Sequence, residues 1–406
     1  MRGSGVSPLQ GRISPVNHRS RVAPHVAELP KSGIRKFFDI VAQAKDIVSL
    51  GVGEPDFDTP WHISRAAVTC LEDGGTHYTS NLGTPTLRQA IDRYLSRRFD
   101  AHFDWQKEIL VTVGVSEAID LAIRAICSPG DEVLYHEPCF VSYAPTIRLA
   151  HAVPVCVETR VEDEFRLTVK AMEAKVSPRT KAILLNFPCN PTGATLDREE
   201  MLEILEFAER HDLIVLADEV YSELNYEASL VSRLTSFASF PAFHDRVVLL
   251  NGFSKSWAMT GYRLGYACGP VDIVDAMMKI HQYGIMSAPT LSQAAGVEAM
   301  DRGDKDVDRM RREYKKRRDF LVPALNDLGL MTVMPKGAFY IFSDIRSTGL
   351  SDEAFALKLL KEFGVACVPG SAFGACGAGF VRMSYATSLE KIRLAVERIG
   401  KMLRRA

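Results

Sequence analysis

The chain has 406 residues, which is enough for roughly two to three domains, and its hydrophobic fraction of 47% is typical of a globular protein. With 49 Lys and Arg against 50 Asp and Glu, the net charge of -1 provides no global field to attract nucleic acid or an anionic membrane. No apolar run approaches the ~20 residues of a transmembrane helix.

The cysteine pattern indicates a reducing compartment. The 8 cysteines are scattered along the chain, and no two form a C-x-x-C pair. No secretory apolar segment is present. We therefore expect free thiols in a cytoplasmic protein, and we assign no metal ligands.

The N-terminal region is expected to be a disordered tail over residues 1–18, because it lacks the apolar residues that would order it. A short organellar transit peptide has a similar composition and is the alternative. Residues 19–48 are expected to pack with a small C-terminal domain and to include an amphipathic helix at Ser32–Ile40. The glycine- and proline-rich run Gly51–Phe57 predicts a loop whose N–H groups could receive a carboxylate, although a plain turn explains it equally well.

The first candidate ligand site follows a β-branched strand predicted at Ile109–Val113. This strand runs into Gly114 and then Val115 and Ser116, which open a helix. A helix start after a glycine turn presents free N–H groups and a positive dipole end, and both suit a phosphate. One glycine is a weak signal, and a helix capped by Ser116 is the alternative.

Strands and helices then alternate, which is the pattern of a parallel sheet with crossover helices. The predicted strands lie at Glu132–Tyr135, Val153–Cys156, Ala182–Leu185, Leu213–Leu216, Val247–Leu250 and Leu264–Ala267. Ligands bind beyond the carboxyl ends of the strands in such sheets. The candidates that end or follow these strands are Phe140, Asn190, Asp218 and Lys255.

Lys255 is the central candidate. It follows the apolar run Val247–Leu250, and burial beside a strand disfavours the ammonium form of lysine. A neutral lysine amine is a nucleophile that forms a Schiff base with an aldehyde. Arg263 could bind a phosphate, and Gly265 allows a close backbone approach, so the segment suggests pyridoxal 5'-phosphate. Taken alone, a lysine in a surface loop is the commoner explanation.

A smaller α+β domain is predicted after about Ala288. We therefore divide the chain into a large domain over residues 49–288 and a small domain over residues 289–406. Asp304–Leu328 is predicted to be a long charged helix whose basic run lies on a solvated face. Thr332–Ser343 predicts a hairpin, and Phe380–Ser384 predicts a strand.

Together these motifs resemble the class I and II aminotransferases, which are fold-type I pyridoxal-phosphate enzymes. The resemblance rests on Ser254–Gly265, Asn190–Gly193, Asp218–Tyr221 and Phe380–Ser384, and it covers nearly the whole chain. It implies an α/β fold, in which a large domain has a mostly parallel, seven-stranded type of sheet between helices. Gly51–Phe57 further resembles a subgroup of bacterial and archaeal aspartate, aromatic and diaminopimelate-pathway aminotransferases.

The resemblance also implies roles for individual residues. Lys255 would form the Schiff base with pyridoxal 5'-phosphate and carry the Cα proton, and Asp218 would pair with the ring nitrogen. Asn190 and Tyr221 would bind the ring 3'-oxygen, and Phe140 would stack on the ring. The implied phosphate contacts are Arg263, the Ser116 side chain, the N–H groups of Val115 and Ser116, and Tyr78 from a second subunit. The last contact implies a homodimer with shared active sites.

Arg382 would bind the substrate α-carboxylate, assisted by Asn190 and the backbone of Gly53. Taken singly, each of these residues also fits a cap, a turn, core packing or a surface pair. Two departures from the family pattern matter. Gly252 stands where many relatives have a phosphate-binding serine. Ser116 stands where some acid-specific relatives have a lysine, which weakens a strict aspartate assignment.

The predicted function is ping-pong transfer of an amino group between an L-amino acid and a 2-oxo acid. The candidate side-chain pocket, formed by Ile34, Phe37 and Tyr283–Ser287, is apolar and favours aromatic or mixed donors. A β-eliminating lyase is the alternative, because the same cofactor serves it. An aminotransferase-like transcription regulator would need a DNA-binding domain of at least ~50 residues, which the N-terminal tail cannot hold. Neither nucleic acid nor a membrane is an expected partner.

Overall fold

The computed structural model describes residues 21–29, 46–227 and 234–404. The tail predicted at residues 1–18, the helix predicted at Ser32–Ile40, and the pocket candidates Ile34 and Phe37 lie outside the described residues. No helix in the described ranges combines the length and the apolar composition needed to cross a bilayer.

The described residues form alternating strands and helices. The strands are β1 (Val48–Ser49), β2 (Ile109–Thr112), β3 (Glu132–Glu137), β4 (Val153–Glu158), β5 (Thr180–Asn186), β6 (Ile214–Asp218), β7 (Val247–Gly252), β8 (Gly265–Cys268), β9 (Tyr340–Asp344), β10 (Val365–Ala366), β11 (Val368–Pro369) and β12 (Phe380–Ser384). The helices are α1 (Pro24–Ala27), α2 (Trp61–Glu72), α3 (Pro85–Phe99), α4 (Val115–Ile126), α5 (Tyr143–Leu149), α6 (Val169–Glu173), α7 (Arg198–Arg210), α8 (Val271–Gly284), α9 (Thr290–Arg302), α10 (Asp304–Asp327), α11 (Asp352–Phe363) and α12 (Leu389–Leu403).

The large sheet lies between two helical layers. In the part of the chain that the structure describes, seven strands form this sheet in the order β2-β8-β7-β6-β5-β3-β4. Strand β8 is antiparallel to both of its neighbours, and the other pairs are parallel. Leu185 and Val215 pack in the same core as residues of α7, whereas Leu184 and Leu216 pack in the core that contains α4. Burial on both faces explains the continuous apolar strands, and the predicted α/β fold is confirmed.

The C-terminal region has a second core. Strands β11, β12 and β9 form an antiparallel sheet, and side chains of β9 and β12 share a hydrophobic cluster with α10, α11 and α12. Of the segment 19–48, Val48 pairs with Val365 within this cluster, while the His25 ring lies 4.6 Å from that of His151. The ends of the N-terminal segment therefore contact different parts of the fold.

The hairpin predicted at Thr332–Ser343 is confirmed only at its open end, where Met331 O accepts a hydrogen bond from Asp344 N at 2.8 Å. Only β9 forms there, with a single bridge between Thr332 and Ser343, while Gly337 pairs with Asn225. The N–H groups of Lys336 and Gly337 donate to Gly193 O, each at 3.0 Å. Hydrogen bonds to a distant loop thus replace the local strand pairing that the sequence suggested.

Candidate active site

A cavity of about 370 Å³ lies where β5, β6 and β7 end, which is a volume typical of small-molecule sites. Most of the residues selected from the sequence line it: Gly53, Val115, Ser116, Phe140, Asn190, Asp218, Tyr221, Lys255, Arg263 and Arg382. Tyr78 is outside this cavity and 84% exposed. Tyr283, a candidate for the side-chain pocket, is also outside it and 88% exposed.

Lys255 follows β7, whose residues are all buried. Its Nζ donates a hydrogen bond to Gly53 O at 2.8 Å. Burial lowers the pKa of Lys255 to about 8, although the negative charge of Glu54 opposes the shift. A large fraction of the amine is therefore neutral near this pH, which is the form that attacks a carbonyl carbon.

Asp218 is the last residue of β6 and is buried. The Tyr143 hydroxyl donates to its Oδ2 at 2.7 Å, and the Val220 N–H donates to its Oδ1 at 3.2 Å. Burial raises the pKa of Asp218 to about 6, and these two hydrogen bonds oppose the increase. The carboxylate thus remains mainly ionised at neutral pH, as pairing with a protonated ring nitrogen requires.

The start of α4 is shaped to receive an anion. The helix begins after Gly114, which has a φ of 78° and supplies no side-chain cap. A Cβ atom at Gly114 would lie 2.9 Å from Arg263 Nη2, and one at Gly265 would lie 2.7 Å from Val115 N. Only glycine at these two positions lets the start of α4 lie this close to the Arg263 guanidinium and to β8. The start of α4 and Arg263 together form an anion cradle that suits a phosphate.

The same packing explains why Gly252 departs from the family pattern. A Cβ atom at Gly252 would lie 2.8 Å from Val115 Cγ2 and 3.0 Å from Leu264 O. The side chain of Val115 therefore fills the space that the β-carbon of a serine would need. Val115 and Gly252 form a matched pair beneath the anion cradle.

Arg382, on β12, enters the cavity from the C-terminal region. Its Nη1 donates to Asn190 Oδ1 at 2.9 Å, and its Nη2 donates to Gly51 O at 2.7 Å. Its guanidinium carbon lies 4.5 Å from the centre of the Tyr340 ring. Nε is buried without a hydrogen-bond partner among the described residues. A buried guanidinium with spare donor capacity is suited to a carboxylate.

Two lining or supporting tyrosines were not identified from the sequence. The Tyr340 hydroxyl forms a hydrogen bond with the Tyr221 hydroxyl at 3.0 Å, and a Cβ atom at Gly53 would lie 2.8 Å from that Tyr340 oxygen. Tyr143 contacts Phe140 edge to face at 5.8 Å while it binds Asp218. Neither tyrosine lies in a motif, so only the folded structure reveals its position.

Pyridoxal 5'-phosphate fits the groups present. The neutral amine matches its aldehyde, the buried carboxylate matches its ring nitrogen, and the helix start matches its phosphate. The bound ring would withdraw electrons from the substrate Cα and so ease removal of the Cα proton. The fold and the site therefore define an α/β enzyme that acts on amino acids through a pyridoxal cofactor.

Comparison with known proteins identifies the family. The description "Aminotransferase class I and II" matches residues 45–399. The aspartate aminotransferase of Pyrococcus abyssi is 46% identical over 375 residues, which cover 92% of this chain and 96% of that protein. The aromatic-amino-acid aminotransferase 2 of Thermococcus litoralis is 43% identical over 375 residues, with 92% and 96% covered.

A solved structure agrees with these relatives. The aromatic aminotransferase from Pyrococcus horikoshii superposes with a TM-score of 0.86 at 44% identity, and the match covers 92% of this chain and 99% of that one. The chain belongs to the class I and II aminotransferases. It is a pyridoxal-phosphate-dependent transaminase, which favours the predicted transamination over the alternative of a β-eliminating lyase.

Proposed function

We propose that the enzyme uses aromatic L-amino acids and 2-oxo acids as its main substrates. The observation that carries the proposal is the charge distribution of the cavity. Among the described lining residues, the cations are Lys255, Arg263 and Arg382. If Lys255 and Arg263 bind the cofactor, Arg382 alone remains for the substrate, and it matches one carboxylate.

The roles proposed for the protein groups follow from their positions. With the cofactor bound, Lys255 Nζ would take up and release the proton of the substrate Cα. Asp218 balances the charge of the ring nitrogen, and Arg382 orients the α-carboxylate with help from Asn190 and the Gly53 backbone. The remaining cofactor contacts are Tyr221 and Asn190 at the 3'-oxygen, Phe140 at the ring face, and Val115, Ser116 and Arg263 at the phosphate.

Glu54 supports a preference for substrates without a second carboxylate. It lines the cavity and accepts a hydrogen bond from Thr260 Oγ1. Of the charges that act on Lys255, that of Glu54 has the largest influence. Since like charges repel, Glu54 would oppose the distal carboxylate of aspartate, although its exposure to solvent screens part of the repulsion. Ile119 and Val220 supply apolar lining that suits an aromatic ring.

Aspartate is the second candidate donor, because the P. abyssi relative is named an aspartate aminotransferase. A direct comparison would mix the holoenzyme with single amino acids and follow the absorbance of the lysine-bound cofactor. We expect phenylalanine and tyrosine to convert the cofactor faster than aspartate does. Glu54→Gln should increase the rate with aspartate relative to phenylalanine. Faster conversion by aspartate in the unmodified enzyme would contradict the proposed preference.

Two controls accompany that comparison. Asp58→Asn removes an exposed acid from the same loop without touching the cavity, so it should leave the substrate ratio unchanged. Lys255→Ala should abolish both the absorbance of the lysine-bound cofactor and the turnover. Full turnover by Lys255→Ala would refute the role of Lys255 whatever the substrate.

We further propose a homodimer in which Tyr78 reaches the phosphate bound by a second copy. Exposed apolar side chains that include Tyr78, Tyr283 and Met286 support it, since large exposed apolar groups commonly mark interfaces. Asn81 Nδ2 donates to Met286 O at 2.7 Å, which joins the Tyr78 loop to the other two residues. A dimer in solution that dissociates on Tyr283→Glu substitution would support this arrangement.

The domain division and the location of the protein are also proposals. The large domain would span residues 49–288 and the small domain residues 289–406, because the hydrophobic cluster around α10, α11 and α12 draws mostly on later residues. The cysteines within the described ranges are all free, which supports a cytoplasmic enzyme.

A further inference from the structure

A second cluster of reactive side chains lies away from the cofactor site. Among the described residues, Glu137, Cys156 and Cys376 form a group whose carboxylate oxygen and sulfur atoms all lie within 4.8 Å of one another. The thiols of Cys156 and Cys376 share a hydrogen bond. All three residues are half-buried, so an ion from solvent can reach them.

Three separate elements build this cluster. Strands β3 and β4 pair in parallel, which sets Glu137 opposite Glu158 and places Cys156 two residues earlier on the same face of β4. Cys376 lies in a short 3-10 helix, Ala375–Gly377, in the connection between β11 and β12. The Cys139 N–H holds this connection in place by donating to Phe373 O at 3.0 Å.

The connection fits closely around the Glu137 carboxylate. Gly374 has a φ of 118°, and a Cβ atom there would overlap Glu137 Oε2. The Tyr135 hydroxyl donates to Glu137 Oε1 at 2.7 Å. Tyr135 thus fixes one oxygen of the carboxylate and leaves Oε2 beside Gly374, as outer-shell partners of metal ligands do.

These donors match one class of ion. Two thiolates and one carboxylate are ligands that Zn²⁺ accepts, whereas Mg²⁺ and Ca²⁺ require oxygen ligands. With Zn–S bonds of about 2.3 Å and Zn–O bonds of about 2.0–2.2 Å, a tetrahedral site brings its ligand atoms to less than about 4 Å apart. Small side-chain adjustments would therefore be enough to close the cluster around the ion. The nearby charge of Glu158 adds to the attraction for a cation.

We propose that Glu137, Cys156 and Cys376 form a binding site for a thiophilic divalent cation, best matched by Zn²⁺, with water as the fourth ligand. Binding forms two Zn–S bonds and one Zn–O bond, releases the thiol protons to solvent, and transfers no electrons. The ion would tie β4, an edge strand of the large sheet, to the connection that leads into β12 and Arg382. It would therefore brace the C-terminal region against the large sheet.

The test is a competition titration of holoenzyme, stripped of metal and kept reduced, with Zn²⁺ and a chromophoric chelator. We expect about one tightly bound Zn²⁺ per chain. Cys156→Ser and Cys376→Ser should each lose this binding, and Glu137→Gln should weaken it. Cys127→Ser is the matched control, because Cys127 is also half-buried but lies outside the cluster, and it should bind as the unmodified enzyme does.

A second measurement does not depend on how the variants fold. Zn²⁺ should protect Cys156 and Cys376 from alkylation in the unmodified holoenzyme, while Cys70 and Cys127 keep their reactivity, as read by peptide mass spectrometry. The proposal is overturned if Zn²⁺ protects neither thiol, or if both serine variants bind it as tightly as the unmodified enzyme. A Cys156–Cys376 disulfide that persists under the reducing conditions of the titration and prevents metal binding would also overturn it.

Discussion

Replacing Tyr143 by phenylalanine removes the hydroxyl that donates to Asp218 Oδ2 at 2.7 Å and leaves the buried ring in place. This bond stabilises the ionised carboxylate, so its loss raises the pKa of Asp218. A hydrogen bond to a charged group contributes about 1.5–3 kcal/mol, which corresponds to roughly 1–2 pKa units. The pKa of Asp218 is about 6 in the unmodified protein, so it should be roughly 7–8 in the variant.

The sign of the effect follows from the charge of Asp218. Only the deprotonated carboxylate balances a protonated ring nitrogen, so cofactor affinity falls as the pH drops through the pKa of Asp218. Near neutral pH the unmodified protein keeps most of this charge, whereas Tyr143→Phe loses about half of it or more. The affinities of the two proteins should converge above about pH 9, where Asp218 is ionised in both.

The assay is a titration of cofactor-free protein with pyridoxal 5'-phosphate, followed by fluorescence, between about pH 6 and about pH 9. Titration of Lys255 largely cancels in the ratio of their affinities, because the charge of Asp218 influences the pKa of Lys255 less than burial, Glu54, Arg382 and Arg263 do. Tyr135→Phe is the control, because Tyr135 also donates to a carboxylate at 2.7 Å but lies outside the cofactor cavity. An affinity ratio that stays constant with pH would refute the assigned link between Tyr143 and Asp218.

Two other substitutions test the site. Arg382→Lys keeps the charge but loses the planar guanidinium that binds Asn190 and Gly51. The loss of transition-state stabilisation should be about 2–5 kcal/mol, so kcat/KM for every amino acid should fall at least roughly 30-fold. The affinity for the cofactor should not change. Parallel kinetics and cofactor titration check this, and an equal loss of cofactor binding would argue against a substrate role. Gly252→Ser should weaken cofactor binding and lower stability by about 1–3 kcal/mol through its clash with Val115, and adding Val115→Ala should restore part of both. Tighter cofactor binding by Gly252→Ser alone would show that the space exists.

The sequence was most informative where an apolar strand ends in a polar residue. Asp218 ends such a strand and Lys255 follows the next one, and because parallel strands share one carboxyl edge, their proximity was predictable. The contact of Tyr143 with Asp218 was not predictable, since Tyr143 lies in α5 and its hydroxyl reaches a residue 75 positions later, at the end of β6. Cys156 and Cys376 meet only through the folding of a distant connection, which no local pattern encodes. The hairpin predicted at Thr332–Ser343 is incomplete for the same reason, because hydrogen bonds to a distant loop replace the pairing near its turn.

The hydrogen bonds of Arg382 have a consequence for how such an enzyme could be recombined. One guanidinium on β12 is shared between the Gly51 carbonyl near the N-terminus and the Asn190 amide beyond the large sheet. The substrate-binding role proposed for Arg382 therefore depends on three separate segments of the chain and cannot be transferred with one of them. A chimera with the C-terminal region of this enzyme would contain Arg382, whereas the residues that accept its hydrogen bonds would come from the other parent. Active chimeras should therefore take residues 51, 190 and 382 from the same parent.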